Sequence, residues 1–262
     1  MDPIRLLLGA DDAYAMQMTV SAHSALYHLD CSKPVELHIL DGGISAENRL
    51  RSESVLRSAH PKVDLYWRLA DLQNFNGLNF GIYSASAMIR LLTPWIFPDL
   101  DGRLLYLDSD VVVTDDISQL WQIELGDFPV WAVINGEAEQ FANDIAGKFA
   151  EVTGSEDARY FNSGVLLINL CEWQHQKISE KALNFLRTHS EELSFPDQDA
   201  LNAVIAGNWG ALPPRWNKQV IRIGQPESAS VRDRGITHYT SYKPWNRDYT
   251  WRCNETFFHA YM

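Results

Sequence analysis

Residues 103 to 114 read Arg103-Leu104-Leu105-Tyr106-Leu107-Asp108-Ser109-Asp110-Val111-Val112-Val113-Thr114, an apolar, β-prone run interrupted at its centre by two carboxylates around one serine. In an extended chain side chains alternate between faces, so Asp108 and Asp110 point the same way and Ser109 points away. Two carboxylates leaving a buried strand on one face make half of a metal site. Hard divalent cations such as Mg²⁺ and Mn²⁺ take oxygen ligands and share their shell with substrate phosphates, so few protein ligands are needed. The plain alternative is a solvated acidic turn after a core strand. The sequence on either side has to separate the two.

Upstream, Ile4 to Gly9 is an apolar run, Arg5 apart, ending in Ala10-Asp11-Asp12, the pattern of a buried parallel strand whose carboxyl end opens into a loop. Ala13 to His28 follows at helical spacing, and Val35 to Leu40 reads as a second strand closed by Asp41-Gly42-Gly43. Ser45 is placed to cap a charged amphipathic helix running to about Ala59, with Pro61 ending it and Val63 to Trp67 as a third strand. This alternation predicts an α/β fold with a doubly wound, mostly parallel sheet. Residues 71 to 81 are loop-like, and Ser84 to Leu92 resumes helical spacing around one cation, Arg90. That cation either pairs with a neighbouring carboxylate or awaits an anionic ligand. Neither glycine-rich phosphate loop occurs, so any nucleotide phosphates need another holder.

Downstream, Asp116 is placed to cap a short helix from Ile117 to Trp121, and Val130 to Ile134 forms a strand ending at Asn135-Gly136. Residues 137 to 158 are polar, with no clear element. Tyr160-Phe161-Asn162-Ser163-Gly164 abuts a strand from Val165 to Asn169, and Trp173 to His189 reads as one amphipathic helix. Phe195-Pro196-Asp197-Gln198-Asp199 leads into a helix from Ala200 to Ala206, for which Asp197 is the evident N-cap. After Pro213-Pro214 and a polar region come Ile236-Thr237-His238-Tyr239 and Lys243-Pro244-Trp245.

At 262 residues and 46% hydrophobic, the chain has material for one large core, and a single domain is expected. A net charge of −12 argues against a nucleic-acid partner, which would require a basic footprint. An anionic ligand would therefore need local cations or a metal. Cys31, Cys171 and Cys253 are three in number and far apart, which favours neither a disulfide framework nor a zinc site and fits a reducing compartment. Ile4 to Leu8 is too short for a signal-peptide core, and no stretch approaches the ~20 apolar residues of a membrane span. The expectation is a cytoplasmic protein, in which Asn254-Glu255-Thr256 is a chance glycosylation triplet. The chain stops at Met262 without a basic, aromatic tail, so no stable membrane anchor is expected.

Five polar clusters thus sit at strand ends or helix starts: Ala10 to Tyr14, Asp108 to Asp110, Asn162, Asp197 to Asp199, and His238 to Lys243. Their ordered set resembles glycosyltransferase family 8, retaining nucleotide-sugar transferases that include bacterial lipopolysaccharide galactosyltransferases and glycogenin. The matching stretches are Ala10-Asp11-Asp12-Ala13-Tyr14-Ala15, Leu104 to Asp110, Tyr160 to Val165, Asp197-Gln198-Asp199 with Leu201-Asn202, and His238-Tyr239 with Lys243-Pro244-Trp245. Together they run over nearly the whole chain. The chain departs from the family pattern in a loop from His238 to Lys243 that is one residue short and lacks glycine, and in Ala13 and Asn135.

The resemblance implies a single GT-A domain, a Rossmann-like mixed but mostly parallel sheet flanked by helices. Its nucleotide-binding part would cover about residues 1–115 and its donor-sugar and acceptor part about 116–262. It implies a UDP-sugar donor, with Ala10, Asp11 and Tyr14 at the base, where a carboxylate on the uracil N3 hydrogen discriminates against cytosine. Asp108 and Asp110, joined by His238, would hold the cation, and the imidazole tilts the choice from Mg²⁺ towards Mn²⁺. Ser109 lies between the two ligands. Lys243 would meet the leaving diphosphate and Arg90 the diphosphate and donor sugar. Asn162 and Asp197 would meet donor hydroxyls, and Gln198 would lie by the anomeric carbon. The reaction implied is retaining transfer of galactose or glucose to a hydroxyl acceptor such as a saccharide.

Two other readings compete. A haloacid-dehalogenase-type phosphohydrolase also places an Asp-x-Asp after an apolar strand, the first Asp being a nucleophile. A non-catalytic binder of UDP-sugar or carbohydrate could keep the same fold. Tyr242, Trp245 and Trp251 are candidates to stack on a sugar acceptor, or simply pack.

Overall fold

The computed structural model describes residues 2–78, 80, 85–97, 101–135, 159–220, 234–240 and 243–245. At its centre β1 (Ile4–Ala10) is covered on both faces, with Leu6, Leu7 and Leu8 all buried. That double burial is why its sequence, Arg5 apart, is an apolar run rather than an alternating one. β1 pairs in parallel with β2 (Val35–Asp41) and β4 (Arg103–Leu107), and β3 (Val63–Leu69) extends the parallel set beyond β2. On the far side of β4 the direction reverses. β7 (Phe161–Asn169) runs antiparallel to both β4 and β6 (Val130–Ile134), and the short β8 (Gly210–Ala211) lies parallel to β6. The result is a seven-stranded mixed sheet of order β3-β2-β1-β4-β7-β6-β8.

The alternation of β1 divides the core into two layers. Leu6 and Leu8 pack with α1 (Ala15–His28) and α2 (Ala46–Ala59), whereas Leu7 joins Leu40 and Tyr106 under the later helices. Those are α3 (Thr93–Ile96), α4 (Leu170–His175), α5 (Ile178–His189) and α6 (Pro196–Ile205). Ser45 caps α2 as its sequence predicts, its Oγ accepting the Asn48 N–H at 3.3 Å. The expected cap at Asp116 is also present, on a 3₁₀ turn over Ile117–Gln122.

Four expectations require correction. The central run is not one strand: β4 stops at Leu107, and β5 (Val111–Val113) belongs to a second sheet of order β5-β10-β9, formed with β10 (Ile236–His238) and β9 (Lys218–Gln219). Asp108-Ser109-Asp110 is the turn by which the chain changes sheets, so strand alternation is not what aims the two carboxylates. Trp173 to His189 is two helices, broken where Lys177 adopts a left-handed φ of 55°. The segment around Arg90 winds as a 3₁₀ helix over Ala85–Leu92. Finally, α6 begins at Pro196, so Asp197 lies inside its first turn and Phe195 occupies the cap position. Gly136, residues 137–158, Ser84, Tyr242, Trp251, Cys253, Asn254 to Thr256 and Met262 lie outside the described residues. Among the described residues no helix is long and apolar enough to cross a membrane.

Candidate active site

The Asp-Ser-Asp turn is pinned from four sides. The Asp108 N–H donates to Gly164 O at 2.8 Å on β7, and the Asp108 carbonyl accepts from Ser21 Oγ of α1 at 2.9 Å. Ser109 points away from its neighbours, its hydroxyl donating to Gly9 O of β1 at 2.8 Å. The Asp110 carbonyl accepts the Tyr239 N–H, just past β10, at 3.0 Å. This anchoring brings Asp108, Asp110 and His238 together, each offering one ligand atom within 4.8 Å of the others. His238 Nε2 is 3.1 Å from Asp110 Oδ1 and 3.7 Å from Asp108 Oδ2.

The other ring nitrogen has a defined partner. Asn162 Oδ1 accepts the Gly164 N–H at 3.0 Å and the Asn217 Nδ2–H at 2.8 Å. The Asn217 oxygen therefore faces His238 Nδ1, 2.9 Å away, and accepts its proton. In the neutral ring this leaves the Nε2 lone pair facing the two carboxylates, as a metal-ligating imidazole requires. Gly164 keeps the space open, since a Cβ there would lie 2.7 Å from His238 Nδ1 and 2.8 Å from Asp108 Oδ2. Lys243 pairs with Asp110 Oδ2 and donates to Tyr239 O at 2.5 Å. Burial pushes the Asp110 carboxyl up, but His238 and Lys243 reverse this and hold it below its ordinary range.

Arg90 pairs with two carboxylates. It is 5% exposed, with Nη2 2.6 Å from Asp108 Oδ1 and Nε 3.1 Å from Asp197 Oδ2. Nη1 donates to Ser163 O at 2.7 Å and Ser163 Oγ at 2.9 Å, and the guanidinium lies 4.7 Å over the Tyr106 ring. Burial opposes the charge on Arg90, yet Asp108 and Asp197 more than offset it and keep the group cationic. The Tyr106 hydroxyl completes the clamp by donating to Asp108 Oδ1 at 2.7 Å, while burial pushes that phenol well above its usual range.

Gln198 and Asp197 sit beside this clamp. Asp197 Oδ2 accepts the Ser163 hydroxyl at 3.0 Å, and burial raises its carboxyl against the pull of Arg90. Asp197 thus does not cap α6; its carboxylate turns inward to the buried cation. Gln198 Oε1 accepts the Ser163 N–H at 3.0 Å and Nε2 donates to Tyr160 Oη at 3.0 Å. Tyr160 in turn donates to Asp199 Oδ1, and Asp199 Oδ2 accepts the N–H groups of Ser194 at 3.0 Å and Phe195 at 2.9 Å.

The remaining cluster lies at the carboxyl end of β1. Ala10 is buried, and its carbonyl accepts the Gly42 N–H at 2.9 Å. Asp11 opens a 3₁₀ turn over Asp12–Tyr14, accepting the Tyr14 N–H at 3.2 Å. Tyr14 is 39% exposed and meets Trp245 edge-on at 6.1 Å, with Lys243 Nζ 6.0 Å from the centre of the Trp245 ring. Asp12 is turned away to the start of α2, accepting from Ser45 N at 2.8 Å and Asn48 Nδ2 at 2.7 Å.

The sequence profile of Glycosyl transferase family 8 matches residues 5–249. The chain belongs to this family. A family 8 glycosyltransferase of this length has similar curated relatives. It is 29% identical over 265 residues to General stress protein A of Bacillus subtilis (strain 168), covering 95% of this chain and 90% of that one. It is 31% identical over 252 residues to a lipopolysaccharide 1,2-glucosyltransferase of Escherichia coli, covering 91% and 72% of the two chains. Among solved structures, the galactosyltransferase LgtC in complex with donor and acceptor sugar analogues superposes with a TM-score of 0.78 at 28% identity, over 98% of this chain and 95% of that one. A second LgtC structure, TM-score 0.79 at 27% identity, carries an active-site glutamine-to-glutamate substitution over the same 98% and 95% coverage. The fold is GT-A, and the protein is an enzyme of the glycosyltransferase class. The phosphohydrolase reading falls with this membership, and its would-be nucleophile Asp108 is held by Arg90 and Tyr106.

Sequence reasoning did not single out Asn217, Ser163, Tyr106 or Tyr160 for any role in this glycosyltransferase. Ser163 and Tyr160 lie inside the stretch Tyr160 to Val165, but their hydroxyl partners, Asp197 and Asp199, are remote in sequence, whereas Tyr106 donates to Asp108 two residues on. Asn217 ends a 3₁₀ turn, Pro214–Asn217, after Pro213, and no local pattern connects it to His238.

Proposed function

We propose that this glycosyltransferase moves a hexose, galactose or glucose, from a UDP-sugar to a hydroxyl acceptor such as a saccharide, with retention at the anomeric carbon. The observation that carries the proposal is the convergence of Asp108, Asp110 and His238 within 4.8 Å of one another, beside the buried Arg90–Asp197–Gln198 cluster. Two carboxylates and an imidazole with its lone pair turned inward fit a divalent cation that accepts mixed oxygen and nitrogen ligands, Mn²⁺ ahead of Mg²⁺. Such a cation, when bound, neutralises charge on the UDP diphosphate.

The chain's own residues supply the rest. Asp11 accepts the uracil N3 hydrogen and the exposed Tyr14 ring stacks on the base, so residues 1–115 carry the nucleotide and 116–262 the sugars. Asn162 and Asp197 meet donor hydroxyls, with Arg90 setting the position of Asp197. Lys243, now on Asp110, contributes charge to the departing diphosphate. The bond from the anomeric carbon to the diphosphate oxygen breaks with its electron pair leaving on UDP. The acceptor oxygen attacks from the same face, and its proton passes to the leaving phosphate. This front-face course suits Gln198, because a carboxamide is a poor nucleophile but its oxygen stabilises an oxocarbenium-like centre. The LgtC structure with an active-site glutamine replaced supports a glutamine in this place. The exposed, unpaired Cys31 and Cys171 accord with a reducing, cytoplasmic setting.

The test is calorimetric titration of UDP with and without Mn²⁺ into wild type and Asp110→Asn, followed by assay of UDP-glucose and UDP-galactose turnover. Metal-dependent UDP binding in wild type and its loss in the variant are expected; equal binding in both sinks the metal assignment.

A further inference from the structure

Gln198 ends in two groups of nearly equal shape and opposite polarity. Beside a carbon that becomes electron-poor, the carboxamide oxygen is stabilising and the NH₂ group is not, so its orientation matters to the chemistry. The hydrogen bonds around it leave one orientation. Asp199 Oδ2 receives two backbone N–H groups, from Ser194 at 3.0 Å and Phe195 at 2.9 Å, and can only accept there. Asp199 Oδ1 takes the proton of Tyr160. The Tyr160 oxygen is then the acceptor for Gln198 Nε2 at 3.0 Å, and Gln198 Oε1 is left to the Ser163 N–H, also at 3.0 Å. Tyr160 and Asp199 are each 1% exposed and Gln198 is 6% exposed, so water has little access to substitute for a lost partner. Burial pushes the Asp199 carboxyl up to about 6, which still leaves it ionised at neutral pH.

We propose that Tyr160 and Asp199 are positioning residues for sugar transfer: they hold the Gln198 oxygen on the Ser163 side, where the Ser163 hydroxyl meets Arg90 and Asp197, and keep its NH₂ group turned away. The inference rests on the reading that Gln198 lies by the anomeric carbon. It goes beyond that reading by assigning two residues that touch no substrate.

Asp199→Asn is the incisive variant, because it keeps the shape and reverses the chain. The two backbone N–H groups demand the Asn oxygen, so the Asn NH₂ donates to Tyr160. The Tyr160 proton then points at Gln198 and competes with the Ser163 N–H for the amide oxygen, so the amide is no longer held in one orientation. UDP release from UDP-glucose or UDP-galactose, whichever the wild type hydrolyses faster, is the assay. We expect kcat to fall roughly 10- to 100-fold, with KM for the donor and calorimetric UDP affinity unchanged. In a Tyr160→Phe background the chain is already cut, so adding Asp199→Asn changes kcat no further. A merely structural contribution would instead make the two losses multiply and would lower the melting temperature. Wild-type kcat in Asp199→Asn, or its full loss repeated in the Phe background, overturns the proposal. Should Asp199→Asn fail to fold, Tyr160→Phe alone decides, with a reduced kcat at constant KM expected and an unchanged kcat fatal. Gln198→Ala separates the levels: wild-type kcat in it defeats the placement of Gln198, whereas loss in it beside a fully active Asp199→Asn defeats only the positioning chain.

Discussion

Two hydrogen-bond chains start from neighbouring N–H groups of β7, and they differ in what gives them direction. From Gly164 a chain of neutral groups runs through Asn162 and Asn217 to His238. From Ser163 the other runs through Gln198 and Tyr160 to a buried carboxylate, Asp199. The neutral chain orients an imidazole at the edge of the acidic pair and carries no charge-burial cost of its own. The charged chain keeps an ion under the site, and its polarity follows from the ionised state of that one group. Arg90 stands between them, pairing with Asp108 on the first side and Asp197 on the second. The comparison teaches that the site sets orientation through groups behind those facing the pocket, by neutral carboxamides on one side and by a buried ion on the other.

Removing the shared cation should break both sides at once. Arg90→Met leaves the buried Asp197 and the half-buried Asp108 without their shared cation and is expected to destabilise the fold by about 3–5 kcal/mol, read as a lowered urea midpoint. A midpoint within error of wild type would mean that the two halves do not depend on Arg90.

The pH dependence separates the sides. Burial raises Asp199 from 3.8 to about 6, so the folded state holds this proton more tightly than the unfolded chain. Its contribution is most favourable below about pH 4 and declines by roughly 2–3 kcal/mol as pH rises to 6. Asp110, held low by His238 and Lys243 in spite of burial, acts in the opposite sense: its stabilisation is present at neutral pH and is lost on acidification below the ordinary carboxylate range. Urea midpoints measured from pH 4 to 7 should therefore fall less with rising pH in Asp199→Asn than in wild type. Parallel profiles would refute the buried-ion account.

The smallest effect belongs to the neutral chain. Asn217→Ala removes the acceptor for His238 Nδ1 without touching either carboxylate, and Mn²⁺ affinity measured by electron paramagnetic resonance should weaken about 10- to 100-fold. Unchanged affinity would show that the imidazole needs no help from Asn217.

Much of the scaffold was legible because local rules and global fold agree. Runs such as Ile4 to Gly9 and Val35 to Leu40 are mostly apolar, Arg5, Glu36 and His38 apart, because parallel strands are covered on both faces, and Ser45 caps the helix that its position predicts. Local rules failed where tertiary partners outcompete them. Asp197 has the position and chemistry of an N-cap, yet the buried Arg90 offers a stronger partner than a backbone N–H. The valines after Asp110 favour extension, but nothing local says that they extend into a different sheet.

The sequence by itself determined the α/β alternation, the acidic pair, and the ordered set of clusters that marks family 8, since these depend on spacing and residue type. Only the tertiary structure decided that the acidic pair occupies a turn between sheets, that Arg90 spans two carboxylates, and that Asn217 and Tyr160 stand behind His238 and Gln198. The physical reason is that hydrogen-bond direction is a property of a closed network, and each of these networks joins residues brought together only when β7, α6 and β10 pack.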